Sequence, residues 1–177
     1  MKPAGVLFFL FIISSLFAHG QKVVIDKVES DSSRFVATEY IGGFSLWCNV
    51  ESCDTTWMLS FYLGEKCEID VGRKLLIKLS DGQIITLENV REIGPFDYDA
   101  KYWSGTMHYV VYPLYHVEKE DLLTIIRKGI IKIRVESNLD THDYDKKVCE
   151  KTTKFLIEEY QNILALLQVK KDLYSDF

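Results

Sequence analysis

Four cysteines, three histidines beyond residue 20 and a scatter of carboxylates hold most of the reactive chemistry in this 177-residue chain. Cys48, Cys53, Cys67 and Cys149 are spaced C-x4-C-x13-C with a distant fourth thiol. Structural zinc sites use paired C-x2-C knuckles, so this spacing argues against a metal centre. Cys48 falls in a strand pattern between Trp47 and Asn49, while Cys53 falls in a turn and is the most accessible of the four. Neither comes with a cue to a histidine that would activate a thiolate nucleophile.

His108 and His116 stand about 27 Å apart in an extended chain, so they share a metal only if the chain bends sharply at Pro113. His142 lies among Asp140, Thr141 and Asp143 and reads as part of a solvated loop, or of the cap residues before a helix. The chain holds no H-E-x-x-H, G-x-S-x-G or glycine-rich phosphate loop, and no cofactor is expected. Asp97 and Asp99 point the same way in an extended backbone, but the twelve-residue calcium loop with its glycine and terminal glutamate is missing. General acid–base work by a carboxylate pair depends on a separation that sequence does not set.

The stretch PFDYDAKYWSGTMHYVVYPLY, Pro95 to Tyr115, concentrates Phe96, Tyr98, Tyr102, Trp103, Tyr109, Tyr112 and Tyr115 beside Asp97, Asp99 and Lys101. In a loop, Tyr and Trp offer flat area with a polar edge, suited to a sugar face or a protein partner. The alternative is that the rings cover the sheet and anchor a long connection. Trp103 is the first contact residue to expect, then Tyr98 and Tyr102, with Asp97 and Asp99 alongside.

The elements around these residues read as strands first. VVIDKVES, RFVATEYI, FSLWCNV and TWMLSFYL are rich in β-branched and aromatic residues between turn residues. A period of two places Phe44, Leu46, Cys48 and Val50 on one face, and Trp57, Leu59, Phe61 and Leu63 on another. KLLIKLSDGQIITL, Lys74 to Leu87, reads as a hairpin with Asp81-Gly82 as a two-residue type I′ loop. That register sets Leu79 opposite Ile84 and Ile77 opposite Thr86, with Leu75, Ile77, Leu79 and Ile84 on one face. Gly94 to Gly105 reads as a loop and Met107 to Val117 as a strand, whose Pro113 marks an edge, a bulge or a strand end. EKEDLLTIIRK reads as a short helix, acidic first and basic last, closed by Gly129. IIKIRVES follows as a strand with Ile131, Ile133 and Val135 on one side, and SNLDTHD as a polar connection. From about Tyr144, Val148, Thr152, Phe155, Leu156, Tyr160, Ile163 and Leu167 recur at helical spacing. The order predicts an α+β domain, an antiparallel sheet (sandwich-like or a single curved sheet) with one short helix and a long C-terminal amphipathic helix.

The N-terminal residues MKPAGVLFFLFIISSLFAHG place one lysine before an apolar run and small residues, Ala18 and Gly20, before Gln21. This is the pattern of a secretory signal peptide over residues 1–20, the run being shorter than a membrane span. The expected product is one secreted domain over residues 21–177, periplasmic or extracellular, with no stable membrane span. Loss of Lys2 moves the net charge from −5 to about −6, and the bases occur only as short pairs, so nucleic acid is a poor partner. Export permits disulfides; four cysteines allow three complete pairings, and at least one bridge among Cys48, Cys53, Cys67 and Cys149 is expected.

The signal ending before Gln21, GRKLLIKLSDGQIITL, and GIIKIRVES after an acidic-to-basic helix resemble small uncharacterised secreted proteins of Bacteroidetes. The resemblance covers Gly72 to Ser137, implies a periplasmic or cell-surface protein, and brings no catalytic or ligand residue. The sequence favours an exported binding or interaction protein that contacts a glycan or protein through the aromatic stretch. Its alternatives are a carboxylate-dependent hydrolase and a structural or assembly component.

Overall fold

The computed structural model describes residues 23–28, 33–40, 43–51, 54–64, 67–144 and 146–174. The expected signal segment, residues 1–20, and Cys53 lie outside them. The first four strands form as their alternation dictates: β1 (Val23–Val28), β2 (Arg34–Thr38), β3 (Phe44–Glu51) and β4 (Asp54–Phe61). With β9 (Leu114–Val117) they make an antiparallel five-stranded sheet in the order β1-β2-β3-β4-β9. Cross-strand pairing sets Phe44 opposite Phe61, Leu46 opposite Leu59 and Cys48 opposite Trp57, and all six side chains are buried. Pro113 ends the approach to β9, its carbonyl accepting the Phe61 amide at 3.1 Å.

A four-stranded antiparallel sheet follows the order β11-β10-β5-β6, built from β5 (Lys74–Leu79), β6 (Ile84–Glu88), β10 (Ile130–Glu136) and β11 (Thr141–Tyr144). The β5–β6 hairpin forms where expected, with a different register. Ile77 pairs with Ile85, Leu75 with Leu87, and Lys78 with Ile84. Gly82 takes φ 89° while Asp81 does not turn positive, and Leu79 donates its amide to the Gln83 carbonyl at 2.8 Å. The loop is therefore the three residues Ser80, Asp81 and Gly82, a form that needs only one left-handed position. That one-residue slip buries Ile85 and Leu87 and turns Ile84 outward, 56% exposed.

A second irregularity sits in β10, where a bulge between Ile130 and Lys132 buries Ile130 in place of Ile131. Residues 141–143, expected as part of a polar connection, and Tyr144, expected to begin the long helix, pair with β10 as β11. There Asp143 accepts a two-pronged bond from Arg134, at 2.6 and 2.8 Å.

The two sheets meet at β6 and β9, through an Asn89–Tyr115 bridge and a bond from the Val90 amide to the Leu114 carbonyl at 2.7 Å. The buried Asn89 amide group also donates to the Asp70 carbonyl at 3.0 Å, holding the chain before β5 against this seam. Helix α1 (Lys119–Lys128) carries Glu120 and Asp121 in its first turn and Arg127 and Lys128 in its last, as its charge order predicts. Gly129 closes it, donating its amide to the Ile125 carbonyl at 2.9 Å.

Helix α2 (Lys146–Tyr174) lies on the inner faces of both sheets. Its buried stripe is Cys149, Thr152, Leu156, Glu159 and Ile163, with Val148, Phe155 and Tyr160 half-buried at its margins. A glutamate thus occupies a core position. Among the described residues neither Glu159 carboxylate oxygen has a well-formed hydrogen bond, although the Thr38 hydroxyl and the Leu46 amide, bonded to each other at 3.0 Å, lie close by. Burial pushes the Glu159 carboxyl up to about 8, with Thr38 and the Leu46 backbone pulling it partly back.

Among the described residues the expected disulfide is not formed: Cys48, Cys67 and Cys149 are thiols. Cys48 faces the core from mid-β3, Cys149 lies in the buried stripe of α2, and Cys67 borders a cavity beside Tyr98. A bridge needs Cα atoms within about 7 Å and converging Cβ vectors, and no two of these three thiols are bonded. A core of this size closes by burial alone. Burial also pushes the Cys48 thiol up to about 12, which suits a packing residue rather than a nucleophile.

Candidate functional site

The aromatic stretch is not a loop. Ser104 and Gly105 both take positive φ, 53° and 77°, the pattern of a two-residue type I′ turn. They join β7 (Asp99–Trp103) to β8 (Thr106–Val110) as an antiparallel ribbon separate from both large sheets. Pairing of Ala100 with Tyr109 and of Tyr102 with Met107 puts these residues on one face. Tyr98 extends that face, its ring meeting Tyr109 edge-on at 5.0 Å between centroids.

This face is open to solvent. Tyr102 is 71% exposed and Met107 51%, and Phe96, in the turn leading into β7, is 85% exposed. The opposite face is anchored. Lys101 Nζ lies 5.3 Å from the Tyr112 ring centroid and 5.8 Å from that of Tyr62, where a cation meets the negative ring faces. The neighbouring Tyr112 hydroxyl holds the Lys101 ammonium above its usual range. Tyr112 in turn packs on Tyr40 at 5.0 Å. The ribbon is thus fixed by one face and presents the other.

Two cavities open at its base, and Tyr98 lines both. One, of about 250 Å³, is bordered by Cys67, Gly94, Pro95, Val111 and Leu139 and is mainly apolar. The other, of about 320 Å³, brings Asp97 and Asp99 together with Arg91, Phe96 and Tyr112. Asp97 is partly committed to structure, since its Oδ2 accepts the Gly94 amide at 3.0 Å. Arg91 shares the cavity with the two carboxylates and offsets part of their charge.

Of the expected contact residues, Tyr98, Asp97 and Asp99 gather at the ribbon base and Tyr102 stands near its tip. Trp103 ends β7 opposite Thr106; its side chain lies outside the described part. Tyr115 is instead a core residue, fully buried with its hydroxyl unbonded and pushed well above the usual tyrosine range, chiefly by burial. Tyr109, one of the rings of the aromatic stretch, belongs to the surface, as do Met107 and Arg91, which were not singled out by the sequence. The Ser-Gly pair was the available signal, since such dipeptides mark tight turns. His108 lies on β8 and His116 on β9, in different sheets, and His142 on β11. Among the described residues no three His, Cys, Asp or Glu side chains converge as metal ligands would, and no helix is long and apolar enough to cross a membrane. The arrangement offers contact area and hydrogen-bonding edges.

The chain matches no protein-family model, no curated protein and no solved structure, so these residues must be read on their own geometry.

Proposed function

We propose that this chain is an exported binding protein whose β7–β8 ribbon presents an aromatic face to a glycan or protein partner. One observation carries the reading: Tyr102, Met107 and Tyr109 stand out from a single face of a ribbon whose other face is anchored. Rings held on a stiff strand pair lose little conformational freedom when a partner covers them, and tyrosine supplies both flat area and a hydroxyl. Exposed apolar area grouped in this way is characteristic of interaction surfaces. Export rests on the pattern of residues 1–20, and N-terminal sequencing of the secreted product is expected to begin at Gln21.

The test pairs Tyr102→Ser with Met107→Ser. Binding to a glycan panel, or to a partner captured by the native protein from cell-surface extracts, is expected to fall at least about tenfold, as for loss of a central anchor. The thermal midpoint is expected to stay unchanged. Full binding by the folded double variant would remove the ribbon from the function.

A further inference from the structure

We propose that the outer face of the four-stranded sheet is a second docking surface, for an acidic protein segment carrying an apolar side chain. The register builds it. Lys132 of β10 stands directly opposite Lys78 of β5, Arg134 opposite Leu76, and Lys78 opposite Ile84 of β6. Directly paired residues share a face, so Leu76, Lys78, Ile84, Lys132 and Arg134 surround one hollow of about 140 Å³. Its floor is apolar, its rim is wholly cationic, and Ile84 is out in solvent because of the one-residue slip in the hairpin.

The charge around this hollow is only partly compensated. Asp143 of β11 answers Arg134 through the two-pronged bond and Lys132 at 2.8 Å. One carboxylate therefore serves two of the three cations that line the hollow, and Lys78 has no ion-pair partner among the described residues. Like charges directly opposite on a ladder destabilise it, and an incoming carboxylate would relieve the Lys78–Lys132 repulsion. Meanwhile the chain as a whole carries −5. An extended anionic surface such as a membrane or a nucleic acid would meet that net repulsion over its full area. A short segment meets only the local positive rim. The hollow has the size for one side chain, so the matching ligand is a leucine-like residue flanked by aspartate or glutamate, reaching Lys78 and Lys132 while Leu76 and Ile84 cover the apolar group. No residue of this surface belongs to the ribbon.

The probe is an acetylated, amidated peptide Asp-Asp-Leu-Asp-Asp, titrated into the isotope-labelled full chain and followed by backbone amide resonances. Shifts are expected at Lys78, Ile84 and Lys132, weakening as salt is raised. Lys78→Glu is expected to weaken binding by about tenfold or more, and the exposed Ile84→Ser by several-fold, as for loss of a charged and an apolar contact. Both substitutions are on the solvent face, and a retained unfolding midpoint confirms the fold. Replacing the aspartates of the peptide with lysines is expected to abolish the shifts. No shift at millimolar peptide, or shifts indifferent to Lys78→Glu, would overturn the proposal. So would co-sedimentation with phosphatidylserine vesicles lost in Lys78→Glu, which assigns the face to membranes. Groove resonances that move with protein concentration alone would assign it to a second copy of the chain and overturn it equally.

Discussion

The β5–β6 hairpin and the β7–β8 ribbon are both short antiparallel pairs closed by tight, glycine-containing turns, yet they do opposite work. The first has one face in the core, with Leu75, Ile77, Leu79, Ile85 and Leu87 buried. Its turn is tied down on the outside: the Ser80 hydroxyl donates to the Lys128 carbonyl at 2.6 Å, and Lys128 Nζ pairs with Asp81 at 2.6 Å. The second is held at its base by rings and a lysine, and its other face carries Tyr102 and Met107 into water. An isolated two-stranded pair is marginal in water, so the ribbon persists because the body of the protein supports it. Turn chemistry makes a hairpin; burial decides whether it is scaffold or display.

The contrast is broken most strongly by truncation. Ile77→Ala is expected to cost about 2–5 kcal/mol of global stability, as for a buried aliphatic chain. Tyr102→Ala is expected to stay within about 0.5 kcal/mol, as for an exposed site; denaturant unfolding of both variants reads the difference. A large loss for Tyr102→Ala would make the ribbon part of the core.

Next in size is a pH effect confined to the core. Burial holds the folded Glu159 carboxyl up at about 8, above the 4.5 usual for a glutamate. The native state therefore holds a proton that the unfolded chain releases. The contribution is fully present below about pH 4.5, declines as pH rises, and is lost on passing through pH 8. Glu159→Gln is expected to flatten this decline and stabilise the protein at pH 9 by roughly 1–3 kcal/mol, after relaxation around the charged group is allowed for. Urea midpoints at pH 6 and pH 9 measure it. A native protein equally stable at both would show that the carboxylate finds solvent.

Glycine substitutions sharpen the comparison at smaller scale. Gly82 and Gly105 have φ of 89° and 77° with open space around the missing Cβ, so Ala strains the backbone alone, by about 1 kcal/mol. In Gly82→Ala that strain is expected in the global unfolding free energy. In Gly105→Ala it is expected only as faster local opening, with the global midpoint unmoved. Smallest is Lys128→Ala. Lys128 and the Gln83 amide hold the Asp81 carboxyl below its usual range, but the pair is in solvent, so the midpoint is expected to stay within error at physiological salt.

Much of the fold was legible because period and composition agreed. The alternation of Phe44, Leu46 and Cys48 against Trp57, Leu59 and Phe61 fixes a sheet face, and charge order with Gly129 fixes α1. What escaped was decided by single backbone positions or by tertiary context. Asp-Gly suits a two-residue loop, but Asp81 stays out of the left-handed region and the three-residue alternative wins. The bulge at Ile131 exchanges it for Ile130 with no cue in an all-isoleucine run. Glu159 falls on the buried side of α2, which no hydropathy pattern would assign to a glutamate. The thiols were paired by an argument from compartment, and the positions of Cys48 and Cys149 in the core and Cys67 at a cavity edge leave those three unbridged. At the candidate site, residue types pointed to the right stretch and Met107 onward read as a strand, while the Ser104-Gly105 turn was passed over because Asp99 to Trp103 alternate too weakly to announce the partner strand.

Native-state hydrogen exchange tests the central contrast most directly. The amides of Ile77 and Ile85, paired across the scaffold hairpin, are expected to exchange only through global unfolding, and those of Lys101 and His108, which face each other across the ribbon, through local opening at a clearly lower free energy. Equal protection in the two hairpins, both falling together as denaturant is added, would contradict the account and make the ribbon one more part of the core.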